Sequence, residues 1–250
     1  MTTRPFLLFP FFLPIFFSVC KGMGQGTVTG SERYNWFDGT IGIENTALYE
    51  GLVYVEKYRT VNDRTKFLDS PDFLPGAVTY YGQPYYGLEL KYNVHDDQLL
   101  LRAVDKVGGG TIQLFKEGVT GFQLGKRTFT RLDNNMSVVL GVTGYFEVKM
   151  KNGFFDYYTK HQKKVFKRKD RNLLYHEFVD DKQVHLLFYN DKFHRLNGKK
   201  DLVTIFPDLQ TEIDAFYRVA KSLRNEDYDG FMLSLMNRVQ LELENKTIKQ

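Results

Sequence analysis

From about residue 47 to 189 the apolar positions recur every second residue. Leu88, Leu90 and Tyr92 fall on one side and Glu89 and Lys91 on the other. Phe146, Val148 and Met150 oppose Tyr145, Glu147 and Lys149, and Val184, Leu186 and Phe188 repeat the pattern. Successive side chains of a strand point to opposite faces, so this spacing predicts half-buried β-strands. Further strands are predicted at 52–58, 77–81, 99–103, 111–115, 121–124 and 173–178. Asn152-Gly153 lies between two apolar runs, where glycine accepts the positive φ of a tight hairpin. His95-Asp96-Asp97 and Val179-Asp180-Asp181-Lys182 read as further hairpin turns, and Gly108-Gly109-Gly110 as a turn before a strand.

After residue 197 the period changes to that of helices. Lys199 to Phe206 predicts a short helix stopped before Pro207. Asp208 is placed to cap a second, whose stripe is Leu209, Ile213, Phe216, Tyr217, Ala220 and Leu223. Asn225-Glu226-Asp227 opens a third, with Tyr228, Phe231, Met232, Leu235 and Val239 on one side, running to about Asn245. Such stripes must be buried, and the nearest cover is the sheet. The expected fold is α+β: an antiparallel β-meander, half-barrel or sandwich-like, followed by a C-terminal three-helix cap. The β body is expected over 47–196 and the helices, packed on it, over 197–250.

The N-terminal pattern is of another kind. Arg4 precedes 14 uncharged, mostly apolar residues, 6–19, interrupted by Pro10 and Pro14. That is shorter than the roughly 18 residues a membrane-spanning helix needs. With small residues following, 1–24 reads as a secretory signal peptide. Cleavage fits before Lys21 or before Gln25. Val19 stands where a bacterial lipoprotein signal places a small residue, so Cys20 reads as incidental and not as a lipid anchor. Residues 25–46, rich in Gly, Ser, Thr and Asn, read as a flexible lead-in with an edge strand near Tyr34 to Phe37. No later apolar run is long enough to span a membrane.

Composition narrows the function. The whole chain of 250 residues carries 34 Lys and Arg against 30 Asp and Glu, a formal +4. Removal of 1–24 takes Arg4 and Lys21 and leaves 32 against 30, or +2. So small an excess does not describe a nucleic-acid binder. The single cysteine, Cys20, excludes a disulfide framework and a cysteine-rich metal site.

No catalytic signature is present. There is no HExxH, no GxSxG elbow and no GxxxxGK loop, and Ser70, Ser137, Ser222 and Ser234 lie in no recognisable nucleophile motif. Among His95, His161, His176, His185 and His194, the nearest approach to a cluster is His176-Glu177 with His185, which a hairpin would bring together. Asp96-Asp97 reads as a solvated turn. No cofactor or metal is expected. Two features suit contact instead. Tyr80, Tyr81, Tyr85 and Tyr86 surround a turn, where exposed tyrosines give rigid contact area with a polar end; their bland reading is alternate packing into the sheet. The run 160–171 holds seven Lys and Arg and one acid, with Val165 and Phe166 interleaved. Lys163, Lys164, Lys167 and Arg168 are its candidate contacts, for an anionic lipid surface in an exported protein; its bland reading is a solvated hairpin tip.

Three stretches carry a resemblance: Leu48-Tyr49-Glu50-Gly51, the run from Gly82 to Tyr92, and Lys199-Lys200-Asp201-Leu202 leading to Phe206-Pro207-Asp208. Together they resemble an exported protein family of flavobacteria and related Bacteroidota that has no assigned activity. The resemblance spans about 45 to 243 and implies export to the periplasm or outer membrane; it brings no site residue. The expected function is a non-enzymatic binding or assembly module of the cell envelope, with an envelope protein or anionic lipid as partner and no nucleic acid. The alternatives are a periplasmic carrier of an apolar, lipid-like ligand and a hydrolase built on His176, Glu177 and His185.

Overall fold

The computed structural model describes residues 42–60, 64–103, 110–132 and 141–248. The expected signal peptide, Cys20, the strand near Tyr34, nearly all of the lead-in, Gly108-Gly109 and Ser137 lie outside these. Eleven strands form one antiparallel sheet: β1 (Leu52–Val53), β2 (Leu74–Tyr80), β3 (Gln83–Asn93), β4 (Gln98–Arg102), β5 (Thr111–Gln113), β6 (Val119–Leu124), β7 (Arg127–Leu132), β8 (Gly144–Lys151), β9 (Asp156–Lys160), β12 (Val184–Tyr189) and β13 (Lys192–Leu196). Between β9 and β12, β10 (Lys163–Asp170) and β11 (Leu173–Asp180) pair as a separate ribbon. The sheet order is β1-β5-β4-β3-β2-β6-β7-β8-β9-β12-β13, an α+β arrangement with a meander at each end and a crossover from β5 to β6.

The sheet is open but strongly curled. Tyr92 of β3 lies four strands from Tyr145 of β8 in the sheet order, which in a flat sheet is about 19 Å. Their ring centroids are 5.8 Å apart. Phe122 and Phe129 stack beside them at 4.6 Å, and the curl closes over one buried cluster drawn from β2 to β8. The contact shows the open sheet folding over its own face, as either of the two expected forms, half-barrel or sandwich-like, does.

Turn chemistry sets the registers. Tyr80 pairs with Gln83 across Tyr81-Gly82, both at positive φ, 47° and 81°, the geometry of a two-residue hairpin. Asn190-Asp191 does the same between β12 and β13. Asn152-Gly153 differs from expectation. Gly153 is not in the left-handed region; Asn152 Oδ1 instead accepts from the amides of Phe154 and Phe155 at 2.9 Å each, closing a longer loop. The predicted strand over 52–58 shortens to β1, because Tyr58 leaves the sheet to pack edge-on against His176 and Phe178.

Four helices follow: α1 (Lys199–Ile205), α2 (Gln210–Val219), α3 (Lys221–Glu226) and α4 (Tyr228–Ile248), with a single 3-10 turn at Pro207–Leu209. The expected second helix is broken at Ala220 into α2 and α3. Asp208 does not cap it; Asp208 lies in the 3-10 turn, and α2 has no side-chain cap. Asp227 does cap α4, accepting from the Gly230 amide at 2.9 Å. Phe231, Met232, Leu235 and Met236 of α4 are fully buried with Leu202, Tyr157 and Leu187, so the helices cover one face of β9 and β12. Phe146, Tyr158 and Leu186 fill a second cluster that leaves these strands buried on both faces.

Candidate functional site

The ribbon continues the β9–β12 ladder. Lys160 pairs with Val184, and after an irregular step Lys163 pairs with Asp180. Val179 to Lys182 is therefore no hairpin turn, contrary to the sequence reading; Asp180-Asp181 marks a bend where one ladder passes into the next. The turn of the ribbon is Arg171-Asn172, between paired Asp170 and Leu173, with Arg171 at φ 50°.

The ribbon has a pinned base and a bare end. At the base Phe178 is buried, the His176 amide donates to the Arg59 carbonyl at 2.8 Å, and Lys163 Nζ donates to the Thr65 carbonyl at 2.9 Å. Beyond it Leu173 and Leu174 at the end and Phe166 midway along are 47, 48 and 49% exposed, with exposed Lys167, Arg168, Lys169 and Arg171. By the register Phe166, Arg168 and Leu173 share one face of the ribbon and Lys167, Lys169 and Leu174 the other, so each face carries exposed apolar surface beside cations.

The four predicted cations divide. Lys163 is turned into the base and offers no contact. Lys164 pairs with Asp181 at 2.5 Å, and Arg168 with Glu177 at 2.8 Å, while Arg64 holds the other Glu177 oxygen at 2.6 Å. Lys167 stands exposed, opposite His176 in the register. The like charges are thus partly neutralised, not simply splayed apart. The exposed Leu173-Leu174 pair was missed, because both sit in a segment read only as a half-buried strand.

The tyrosines divide too. Tyr80 and Tyr85 are buried in the main cluster and belong to no contact surface; the Tyr80 hydroxyl accepts from the Phe115 amide at 3.3 Å. Tyr81 is exposed on its hairpin turn, and Tyr86 is half-buried beside a shallow cleft of about 250 Å3.

Where the ribbon leaves the sheet there is a cleft of about 590 Å3. An ionic network lies along it. Glu147, 6% exposed, takes His161 Nε2 at 2.6 Å and Lys149 Nζ at 3.0 Å, and Lys149 reaches Asp229 of α4 at 2.8 Å. Burial works against the Glu147 carboxylate, but the hydrogen bonds from His161 and Lys149 outweigh it and hold it below the usual range. Burial opposes the Lys149 ammonium as well, and its bonds to Asp229 and Glu147 hold it above the usual range. Next to this network His185 is 2% exposed, with Nδ1 at 2.8 Å from the Tyr157 hydroxyl; burial drives its pKa down to about 4, so it is neutral.

His176 and His185 do not meet. They lie nine residues apart on one strand path, His176 opposite Lys167 and His185 opposite Thr159 and Leu196. The expected grouping of His176, Glu177 and His185 therefore has no common site. Glu147, His161 and Asp229, which do gather, come from three distant segments with no spacing to read. No group of three or more His, Cys, Asp or Glu able to hold a metal ion is found among the described residues. No described helix is long and apolar enough to cross a membrane. No family model, no curated protein and no solved structure matches the chain.

Proposed function

We propose that the protein is an exported, non-enzymatic binding or assembly module of the cell envelope that docks on an anionic lipid surface through the β10–β11 ribbon. The observation that supports this reading is the outer half of the ribbon, whose two faces expose Phe166 and Leu173, and Leu174, among Lys167, Arg168, Lys169 and Arg171. Apolar side chains enter the boundary between headgroups and acyl chains, while cations meet headgroup phosphate. The resemblance to exported flavobacterial proteins and the signal-like residues 1–24 support the compartment. The carrier reading draws less support: the seam between sheet and helices, where an apolar ligand would sit, is filled by Tyr157, Leu187, Phe231 and Leu235.

The test is co-sedimentation with vesicles of phosphatidylglycerol and phosphatidylcholine. Reversing Lys167, Arg168 and Lys169 to Glu is expected to weaken binding at least on the order of a hundredfold, since each cation near such a surface contributes about 1 kcal/mol. Unchanged sedimentation of a folded variant overturns the reading.

A further inference from the structure

The helical cap has an open cleft of its own, of about 600 Å3. It is lined by Lys199 of α1, Asp214, Tyr217 and Arg218 of α2, and Arg224 of α3, three cations against one carboxylate. Asp214 stands four residues before Arg218 on one helix, the spacing of a helical ion pair, but turns instead to Lys199 Nζ at 2.7 Å. The guanidinium groups of Arg218 and Arg224 have no ion pair and no hydrogen-bonded acceptor among the described residues. Other clefts and turns of the molecule balance their cations from the chain: Lys116 and Lys160 share Asp97, and Lys149 lies between Glu147 and Asp229. Here the chain supplies one carboxylate for three cations.

Tyr217 fixes the geometry. Its ring packs edge-on against Phe231 of α4, with centroids 4.9 Å apart, so it is anchored in the core of the cap. Arg224 and Lys199 both lie over that ring, 5.6 and 6.0 Å from its centroid. The ring quadrupole attracts both cations and holds them at one place. A guanidinium stacked on a ring keeps its in-plane N–H donors for a second partner.

From these observations we infer that the cleft binds a phosphate monoester, held by the guanidinium groups of Arg218 and Arg224 with Lys199 beside them. Three cations less one carboxylate leave an excess of two positive charges. A phosphate monoester carries nearly two negative charges at neutral pH and balances that excess. A carboxylate or a phosphodiester carries one. The planar fork of a guanidinium also matches two phosphate oxygens at once. The cleft is larger than a phosphate group, which leaves room for the organic part of the ester. The site shares no residue with the ribbon and does not rest on its docking.

The test has two arms. In the first, the 15N-labelled protein is titrated with glycerol phosphate and followed by NMR through the side-chain Nε–H signals of Arg218 and Arg224. Saturable shifts are expected, with none from glycerol and binding about tenfold weaker or more from dimethyl phosphate, which has a single charge. Arg218→Gln and Arg224→Gln should each weaken binding about tenfold, the effect of one hydrogen bond between charged groups. Arg218 is exposed, so its variant is expected to fold even where Arg224→Gln does not. The second arm is co-sedimentation with phosphatidic acid or phosphatidylglycerol vesicles, using protein whose ribbon carries Lys167→Glu, Arg168→Glu and Lys169→Glu. Saturation by glycerol phosphate assigns the phosphate to a soluble ester; a preference for phosphatidic acid that Arg218→Gln abolishes assigns it to a lipid headgroup. The inference is overturned if neither probe binds, if shifts are unsaturable and scattered over surface cations, if folded Arg218→Gln binds equally, or if dimethyl phosphate binds as well as glycerol phosphate.

Discussion

His185 shows how one buried side chain sets a pH limit. Its folded pKa is about 4 against an ordinary 6.5, because burial disfavours the charged ring. Between those values the unfolded chain binds a proton that the folded chain refuses. The contribution is complete above pH 6.5 and is lost as pH falls toward 4, about 3 kcal/mol over the window. Urea denaturation at stepped pH should show this slope, and His185→Phe should flatten it. Asp97 and Glu147 act in a lower window, because partners hold their carboxyls below the ordinary range and their stabilisation fades only on further acidification. Asp97 was also misread. It sits in the β3–β4 turn at φ 54°, yet its carboxylate points inward to Lys116 at 2.5 Å, Lys160 at 3.0 Å and the Tyr92 hydroxyl at 2.7 Å. The sequence of the turn shows an acid; only the curl brings three partners from elsewhere. Gly144, at φ 106°, leaves room for that carboxylate, and a Cβ there would fall on Asp97 Oδ2. Gly144→Ala should destabilise by more than about 3 kcal/mol in urea. An unchanged midpoint would count against this packing.

At the scale of elements, legibility followed solvation. In β3 the alternation is plain because Glu89 is exposed while Leu88, Leu90 and Tyr92 are buried. In β8 the polar face carries Glu147 and Lys149, which look like solvent positions but lie under α4, paired with His161 and Asp229. Hydropathy cannot distinguish a solvated charge from one paired by a distant helix. The β11–β12 step failed for a similar reason: Asp180-Asp181 suits a turn and a bend equally, and only the pairing of β9 with β12 decides. The ribbon makes its own prediction. Tyr58 holds it edge-on through His176 at 5.0 Å and Phe178 at 5.3 Å. Tyr58→Ala should speed amide hydrogen exchange in β10 and β11 while leaving β2 to β7 protected. Uniform loss of protection would mean that the ribbon is not a separable unit. Because its outer apolar side chains are already exposed, replacing Phe166, Leu173 and Leu174 with Ser should change stability by no more than about 0.5 kcal/mol each.

For the whole molecule, charge and shape tell different parts of the story. A net +4 over 250 residues names no partner, and the average hides the concentration of cations on one ribbon. The fold class was legible from the two periods, 2 and then 3.6. The curl was not, since alternation reports which face is buried and never how far the sheet bends. If the ribbon docks as proposed, binding to anionic vesicles should fall steeply as salt rises, because exposed charges are screened within about 10 Å at 0.1 M. The most direct measurement puts a reporter on the ribbon end. Trp36 is the single tryptophan, so Leu173→Trp with Trp36→Phe gives one signal. With anionic vesicles its emission should shift to the blue and be quenched by brominated acyl chains, and with phosphatidylcholine alone it should do neither. Emission unchanged by anionic vesicles, in a folded protein, would contradict the proposed docking.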